Sequence, residues 1–293
     1  TRKEVEKMSK RRIGILTSGG DCPGLNATIR GVAKACYNLF GEDEVEIIGI
    51  QDGFHGLIHD DIKEMKPRDF SGILTRGGTI LGTKRTPYKM MQIVEDDNID
   101  KVAQMKQNYK KNKLDCILTL GGNGTHKTAN LLSEEGMNVI GLPKTIDNDI
   151  WGTDVTFGFH TAVDIGTEVI DRIHTTATSH SRVMVIEIMG NKTGWLSLYS
   201  GVAGGADIIL IPEIPYDIEQ VAKAVEKRSK AGKCFSIIAV AEGAMDKAEA
   251  KLKKKERSKL RSEEGIVTVT PRITRQIQEL TGIETRSVVP GHI

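Results

Sequence analysis

Two kinds of hydrophobic pattern alternate along the chain. Short apolar runs rich in β-branched residues have the length and composition of buried strands, and they lie at residues 12–17, 45–50, 116–120, 138–142, 182–189, 208–211 and 236–241. Longer segments with apolar residues at helical spacing separate most of them, at residues 25–40, 125–135, 160–175, 218–230 and 271–280. Because strands and helices alternate, the pattern predicts an α/β protein with mainly parallel sheets and helices on both faces.

The length of 293 residues is enough for two domains, each with its own core. Glycine-rich loops are dense before residue 150 and a second series of strand and helix patterns follows, so we expect lobes over residues 1–150 and 151–293. Residues 246–264 are rich in Lys, Arg and Glu and poor in large apolar residues. A solvated helical excursion explains this stretch better than a basic interaction tail.

The overall charge argues against nucleic-acid and membrane partners. Lys and Arg number 41 against 39 Asp and Glu, which leaves a net charge of +2 and no strong field. No apolar run approaches the roughly 18 residues of a membrane span, and residues 1–12 are charged throughout, unlike a secretory signal. We therefore predict a cytoplasmic protein that binds neither nucleic acid nor membrane.

Four cysteines, Cys22, Cys36, Cys116 and Cys234, are far apart in the sequence. They form no C-x-x-C pair and no histidine lies at zinc-finger spacing, so neither a disulfide framework nor a zinc site is indicated. We expect reduced thiols, with Cys116 and Cys234 in the core.

Two glycine-rich loops each follow a predicted strand and open a predicted helix, at residues 17–26 and 121–125. Main-chain N–H groups and a helix dipole at such a place favour an anion, and glycine allows the close approach of a phosphate. Either loop alone is as typical of a tight turn. Neither matches the P-loop or the G-x-G-x-x-G pattern, which argues against a P-loop NTPase and an ordinary dinucleotide-binding enzyme.

Two carboxylates, Asp147 and Asp149, come just after the apolar run that ends at Leu142. Phosphoryl transfer needs aligned reactants, neutralised charge and a carboxylate that accepts the proton of the nucleophile. One aspartate is therefore a candidate base and the other a candidate metal ligand. By itself this segment is also typical of an Asx-rich turn.

Six segments in order resemble successive motifs of the phosphofructokinase family, and together they span most of the chain: residues 13–26, 77–82, 121–125, 143–149, 189–190 and 284–292. The resemblance implies a Rossmann-like three-layer fold in each lobe. It also implies phosphoryl transfer from ATP to the 1-hydroxyl of fructose 6-phosphate, giving fructose 1,6-bisphosphate in glycolysis, with Mg²⁺ as cofactor. The implied partner is a second copy of the chain, in a homo-oligomer (dimer or tetramer) whose sites are shared between subunits.

The resemblance also assigns roles to individual residues. Asp147 would be the base and Arg85 would neutralise charge on the transferring group, while Asp149 and Asn123 would be the metal ligands. The implied donor site, on the 1–150 lobe, consists of Gly20, Lys84, Arg85, Gly122, Asn123, Gly124, Thr125 and Lys144. The implied sugar-phosphate site, mostly on the 151–293 lobe, consists of Thr145, Asp147, Arg182, Met189, Gly190, Asn191, Glu242, Arg286 and His292, with Arg182 serving a neighbouring subunit.

The sequence departs from the family pattern in several places. Asn123 stands where the family usually has Asp, which predicts weaker metal binding, and Asn191 stands where many members have Arg. Gly124 resembles members that use ATP and Lys144 resembles members that use pyrophosphate. We favour ATP because a side chain at position 124 would crowd the inner phosphate of the donor. Family members also continue beyond Ile293 with a C-terminal segment that returns to the first lobe, and this sequence does not include it.

Three alternatives stay open from the sequence. The donor is pyrophosphate in one of them. A second is another kinase with a G-G-[DN]-G loop, such as an NAD or lipid kinase, although residues 19–26 and 145–149 argue against it. The third is a catalytically idle paralogue that binds sugar phosphate or nucleotide. This alternative is suggested by Asn123, Asn191 and the missing C-terminal segment.

Overall fold

The computed structural model describes residues 10–95 and 98–292. The chain divides into two compact units. Unit 1 holds the residues up to Thr145 together with Ile150–Gly158, and unit 2 holds Ile146–Asp149 together with the chain from Phe159 onward. The chain therefore passes between the units at three points, and the assignment of separate functions to 1–150 and 151–293 stays a prediction.

Unit 1 is built on a six-stranded sheet in the order β3-β2-β1-β4-β5-β6, in which β3 is antiparallel to β2 and the other neighbours are parallel. Its strands are β1 (Arg11–Thr17), β2 (Val45–Ile50), β3 (Ile62–Met65), β4 (Cys116–Gly121), β5 (Val139–Thr145) and β6 (Phe157–Gly158). Its helices are α1 (Leu25–Phe40), α2 (Phe54–His59), α3 (Lys101–Lys111) and α4 (Asn123–Glu134).

The central strands of unit 1 are buried because they carry apolar residues at nearly every position. Strand β1 pairs with β2 on one side and with β4 on the other. Leu16, Ile50 and Ile117 are at most 1% exposed and pack in one cluster with Phe54 and Leu132 from the helices. Such burial on both faces explains why these strands read as continuous apolar runs rather than as alternating ones.

Unit 2 is built on a four-stranded parallel sheet in the order β10-β7-β9-β8. Its strands are β7 (Val183–Ile188), β8 (Ile208–Leu210), β9 (Ser236–Ala241) and β10 (Thr285–Val288). Its helices are α5 (Phe159–His180), α6 (Trp195–Ala203), α7 (Ile218–Lys230), α8 (Lys254–Glu263) and α9 (Thr270–Thr281). Alternate residues of β7 and β9 enter two separate apolar clusters, one on each face of the sheet.

The predicted fold class is confirmed, because each unit is a mainly parallel sheet flanked by helices. All seven predicted strands and all five predicted helices are present, with bounds that differ by a few residues. Three strands were not predicted, and each is short or polar: β3, β6 and β10. The helices α2, α3 and α6 were also missed, since α2 has six residues and α3 few apolar ones.

Two local predictions are modified. The charged stretch at residues 246–264 does contain an exposed helix, α8, but Glu249 within it is 1% exposed. Cys116 is buried as expected, whereas Cys234 is exposed, because it lies in the turn before β9 rather than inside the strand. Among the described residues, no helix combines the length and hydropathy that crossing a membrane requires.

Candidate active site

The first glycine loop lies at the carboxyl end of β1 in unit 1. Its start is tied to β4, since the main-chain N–H of Ser18 donates to the carbonyl of Leu120 at 2.9 Å. Gly19 has a φ of 91°, which favours glycine, and its carbonyl accepts a hydrogen bond from Thr83 Oγ1 at 2.7 Å. The guanidinium of Arg85 lies beside Gly20, where an added Cβ would be 3.4 Å from Arg85 Nη2. The structure thus brings together two residues predicted for the donor site.

The second glycine loop joins β4 to α4 and lies against the first. An added Cβ at Gly121 would be 2.1 Å from Thr125 Oγ1, so the fold requires glycine there. Thr125 Oγ1 in turn reaches the carbonyl of Ser18 at 3.4 Å. Gly122 caps α4 without a side chain, the first turn of α4 has no acidic residue, and a Cβ at Gly124 would meet nothing within 4 Å. The amino end of α4 is therefore sterically and electrostatically suited to a phosphate.

Lys144 brings a positive charge to the first glycine loop. Its side chain is buried and its ammonium group donates to the carbonyl of Gly20. A Cβ added at Gly19 would lie 3.8 Å from the same Lys144 Nζ. Lys84, by contrast, is half exposed and forms an ion pair with Asp52 at 3.7 Å. Two cationic side chains, Arg85 and Lys144, therefore meet at Gly20.

A groove of about 490 Å³ runs along α4 in unit 1 and includes Asn123. It is lined by Tyr88, Asn123, His126, Lys127, Asn130, Gly141, Pro143, Ile150, Trp151, Gly152 and Thr153. His126 packs closely on the backbone of Gly141, where an added Cβ would be 2.4 Å from His126 Nδ1. Burial lowers the pKa of His126, and a hydrogen bond with the backbone of Gly121 opposes this only in part. The groove offers aromatic and polar surface beside the second glycine loop.

The predicted base lies in the segment that belongs to unit 2. The main-chain carbonyl of Asp147 accepts a hydrogen bond from Thr193 Oγ1 at 3.0 Å. The same hydroxyl reaches the carbonyl of Gly190 at 3.2 Å, and the N–H of Thr193 donates to that carbonyl at 3.0 Å. One threonine therefore ties the Asp147 segment to the turn after β7. Asp149 is half-buried, as is Thr145, which lies in unit 1, where its carbonyl accepts from Thr156 Oγ1 at 2.6 Å.

We call residues 189–191 the sugar-phosphate turn, after the role predicted for Met189, Gly190 and Asn191. Glu242, which follows β9, holds this turn: its Oε1 accepts from the N–H of Gly190 at 3.1 Å and also from the N–H of Asn191. Gly190 has a φ of 142°, and an added Cβ would lie 2.6 Å from the carbonyl oxygen of Thr193. The carboxyl ends of the neighbouring strands β7 and β9 thus carry four of the predicted substrate residues in one cluster.

Arg182 and Arg286 lie elsewhere in unit 2. Both guanidinium groups pair with Glu284, at 2.9 Å and 2.6 Å, and the hydrogen bond from Arg182 is the main cause that lowers the pKa of Glu284. Arg182 comes just before β7, whereas Gly190 follows that strand; at a rise of about 3.3 Å per residue, over 20 Å separate them. Arg286 is in register with Met184, near the same end as Arg182. His292 is exposed.

The residues predicted as metal ligands fit one mode of magnesium binding. No group of three or more His, Cys, Asp or Glu side chains that could hold a metal is present among residues 10–95 and 98–292. Mg²⁺ is usually bound by one or two carboxylates together with phosphate oxygens and water rather than by an all-protein cage. Asp149, in unit 2, offers a carboxylate and Asn123, in unit 1, offers an amide oxygen, and both are ligand types that this mode uses.

Sequence reasoning missed two residues that shape the site. Thr83 anchors Gly19 and Thr193 joins Asp147 to Gly190. Both act through a hydroxyl group on a main-chain carbonyl far away in the sequence, so periodicity and spacing gave no signal. Thr83 does directly precede the predicted donor residues Lys84 and Arg85, and this proximity was the available hint.

Comparisons with known proteins agree with this architecture. The family described as phosphofructokinase matches residues 12–293. An ATP-dependent 6-phosphofructokinase from Spirochaeta thermophila is 57% identical over 99% of this chain and 79% of the relative. ATP-dependent 6-phosphofructokinase 3 from Bacteroides thetaiotaomicron is 50% identical over 96% of this chain and 78% of the relative. The T-state crystal structure of phosphofructokinase from Pichia pastoris superposes with a TM-score of 0.80 at 31% identity, over 97% of this chain but only 30% of that longer one.

Proposed function

Because this chain belongs to the phosphofructokinase family, we propose that it transfers the terminal phosphoryl group of ATP to the 1-hydroxyl of fructose 6-phosphate. The product is fructose 1,6-bisphosphate, and the reaction belongs to glycolysis. One observation carries the proposal beyond the family: Arg85 and Lys144 meet at Gly20, and the second glycine loop adjoins the same loop. This arrangement suits a polyphosphate. The family match argues against the NAD-kinase and lipid-kinase alternative.

The donor half of the reaction draws on unit 1. Arg85 would neutralise charge that develops on the transferring group, since a fixed cation is worth most where the reaction creates negative charge. The amino end of α4, at Gly122, Gly124 and Thr125, would bind the remaining phosphates. The groove beside Asn123 is large enough for a nucleoside, which pyrophosphate does not have. Together with ATP dependence in both named relatives, the groove supports ATP over pyrophosphate.

The acceptor half draws on unit 2 and on Thr145. Asp147 would accept the proton of the sugar 1-hydroxyl as the hydroxyl oxygen bonds to phosphorus and the bond to the leaving phosphate breaks. The support is that Thr193 joins the Asp147 backbone to the sugar-phosphate turn. Glu242 would hold that turn in shape through two main-chain N–H groups. The backbone of the sugar-phosphate turn and the side chain of Met189 would then contact the sugar phosphate.

Magnesium would be held by Asp149, with Asn123 as a neutral oxygen ligand and the donor phosphates completing the site. When bound, Mg²⁺ neutralises charge on the phosphates. Asn123 carries no charge, so we expect the metal to be bound more weakly than with an aspartate there. A cytoplasmic location also stays a prediction.

We further propose a homo-oligomer in which Arg182 and Arg286 serve the site of a second copy. Both arginines pair with Glu284 more than about 15 Å along the sheet from the sugar-phosphate turn of their own chain, by the 3.3 Å rise of a parallel strand. A guanidinium meets a phosphate monoester with paired donors, which suits them to a sugar phosphate. A dimer is the smallest assembly that meets this requirement, and a tetramer meets it twice.

A coupled assay tests the proposed reaction. Purified protein is given fructose 6-phosphate and Mg²⁺ with either ATP or pyrophosphate, and fructose 1,6-bisphosphate is measured through aldolase. We expect turnover with ATP and at least 10-fold less with pyrophosphate. Turnover with pyrophosphate alone would overturn the donor assignment. Binding of fructose 6-phosphate without turnover with either donor would instead identify an idle paralogue.

A further inference from the structure

A buried carboxylate lies between two arginines in the charged stretch after β9. Glu249 is 1% exposed. Arg261 on α8 pairs with both of its oxygens, from Nε to Oε1 at 2.9 Å and from Nη2 to Oε2 at 3.0 Å. Arg272 on α9 approaches the same Oε1 at 2.9 Å. Burying three charges is costly even when they are paired, so stability alone is a weak explanation for such a cluster.

Arg261 makes one further contact, and it leads to the sugar-phosphate turn. Its Nη2 donates to the main-chain carbonyl of Ala244 at 2.9 Å. Ala244 lies two residues after Glu242, and its N–H closes a tight turn on the carbonyl of Ala241 at 2.8 Å. Between them, Gly243 is so close to Asn191 that an added Cβ would be 2.1 Å from the Asn191 carbonyl oxygen. The turn after β9 is therefore held by Arg261 on one side and packs on residues 189–191 on the other.

The two arginines that pair with Glu249 make different additional contacts, which indicates different roles. Arg272 also contacts the more exposed Asp246 and Glu264 and is itself only 8% exposed, so it compensates Glu249 from inside the unit. Arg261 adds a second cation to Glu249, and it adds the hydrogen bond to Ala244. Helix α8 buries none of its residues, so apolar packing does not dictate where it lies. The ion pair of Arg261 with Glu249 therefore ties the helix to the turn after β9 and supports the Ala244 contact. It does so together with Arg257, whose Nη1 donates to Met245 Sδ at 3.1 Å.

We propose that Arg261 is a positioning residue for sugar-phosphate binding, with Glu249 as its anchor. Arg261 fixes the carbonyl of Ala244, and thereby holds Glu242 where its carboxylate accepts the N–H groups of Gly190 and Asn191. Arg261 itself does not touch the substrate. The inference rests on the proposed function of the sugar-phosphate turn, and it assigns a role to a charged excursion that the reaction otherwise does not use.

Steady-state kinetics of Arg261→Gln and Arg261→Lys test this role, with Lys259→Gln as the matched control on the same helix, where Lys259 is 79% exposed. Loss of a charged hydrogen bond to the Ala244 carbonyl should raise KM for fructose 6-phosphate about 10-fold. KM for ATP and kcat should stay within about two-fold, because unit 1 is not part of the network. Arg261→Lys, which keeps a donor for Ala244, should lie between wild type and Arg261→Gln. Equal KM increases for both substrates, or none, would overturn the proposal.

Hydrogen exchange separates this inference from the proposed function. The amides of Gly190 and Asn191 should exchange faster in Arg261→Gln than in wild type and in Lys259→Gln, while amides of β8 should not change. This measurement needs no turnover. If wild type makes no fructose 1,6-bisphosphate, the proposed function fails, yet faster exchange at the turn still supports the positioning role. Unchanged exchange at Gly190 and Asn191 would contradict the role whatever the enzyme's activity; if Arg261→Gln does not fold, Arg261→Lys serves for the comparison.

Discussion

The ammonium group of Lys144 donates a hydrogen bond to the main-chain carbonyl of Gly20, which lies 124 residues earlier in the chain. Lys144 lies near the end of β5 and Gly20 in the loop that follows β1 of the same sheet, so the bond fixes the first glycine loop against β5. Because Lys144 is buried, removing its charge leaves that carbonyl without this donor. The loop should then bind phosphate less well.

We therefore expect Lys144→Met, which keeps the length of the side chain, to lower the free energy of unfolding by about 1–3 kcal/mol. KM for ATP should rise about 10-fold, since a tenfold change corresponds to 1.4 kcal/mol. Urea unfolding and initial rates measure the two effects. The exposed Lys223→Met on α7 is the control. A variant with wild-type KM for ATP would show that Lys144 does not shape the donor loop.

Gly124 should control the choice of donor. An added Cβ meets nothing within 4 Å and its φ is not positive, so the fold accepts a side chain there. In Gly124→Asp the carboxylate would face the inner phosphate of ATP, and we expect kcat/KM for ATP to fall about 100-fold or more, as for a like-charge contact of several kcal/mol. Pyrophosphate use should fall less.

The comparison needs a variant of equal chemistry away from the site. Gly31→Asp on α1 serves, because that glycine is exposed and also has open space around it. Thermal unfolding should leave Gly124→Asp within a few degrees of wild type. Equal losses with both donors in a folded variant would count against the donor assignment.

Asp147 should be needed for turnover rather than for binding. Replacement by Ser removes the group that accepts the hydroxyl proton, and general-base catalysis is typically worth 10²- to 10⁴-fold in kcat. Calorimetry should show fructose 6-phosphate bound with an affinity close to that of wild type. Asp43→Ser, at an exposed position, provides the control. Loss of binding together with turnover would instead mean that Asp147 holds the substrate or the turn.

The Glu249 cluster should make the free energy of unfolding depend on pH in the acidic range. Burial works to raise the pKa of Glu249, but the hydrogen bonds and charges of Arg261 and Arg272 outweigh it, so the pKa lies below its ordinary value of 4.5. A carboxyl whose pKa is lower in the folded state stabilises the fold fully above the unfolded value, and this contribution is lost as the pH falls through the folded value.

Glu249→Gln should accordingly be less stable than wild type by about 3–5 kcal/mol at pH 7, as when one partner of a buried pair is removed. The difference should shrink as the pH falls below about 4.5, because wild type then loses the same charge. Urea unfolding at several pH values measures it. Glu226→Gln, an exposed helix pair with Lys230, should show almost no difference at any pH. A gap that does not change with pH would contradict the ionic role of Glu249.

Thiol labelling should distinguish the exposed Cys234 from the buried cysteines Cys22 and Cys116. Cys234 is exposed, while Cys22 and Cys116 are buried. Burial raises the pKa of the Cys22 thiol to about 11; nearby Lys144 lowers it and Asp21 raises it further. At pH 8 Ellman's reagent should therefore react rapidly with Cys234 and only slowly with Cys22. Cys234→Ser should abolish the fast phase, and a fast phase that persists would place the reactive thiol elsewhere.

Much of the fold followed from the sequence because buried parallel strands are continuous apolar runs. Strands β7 and β9 are covered on both faces, and their continuous apolar patterns indicated buried strands. Strand β10 (Thr-Arg-Ser-Val) was missed because its polar residues resemble a loop, and it becomes a strand only by pairing with β7. Tertiary pairing, rather than local preference, decides such segments.

The candidate site was predictable to the extent that strand ends meet. Each glycine loop was predicted to follow a strand, and in a parallel sheet the carboxyl ends of the strands lie at one edge, where Thr125 Oγ1 reaches the carbonyl of Ser18. The contact of Arg261 with Ala244 was not predictable, because a charged helix with no apolar face gives no sign of where it docks. From the sequence alone, a charged stretch indicates solvated surface, because the buried ion pair between Arg261 and Glu249 cannot be seen there.

Gly121 and Gly124 are three residues apart, but packing constrains the first and not the second. Any side chain at Gly121 would collide with Thr125, so mutation there is removed by misfolding. Gly124 has open space around it, so a variant with a side chain there should fold. Selection would then act only on its effect on binding and turnover. With the role proposed for Gly124, donor preference can change during evolution through a single substitution, without a compensating change elsewhere in the protein.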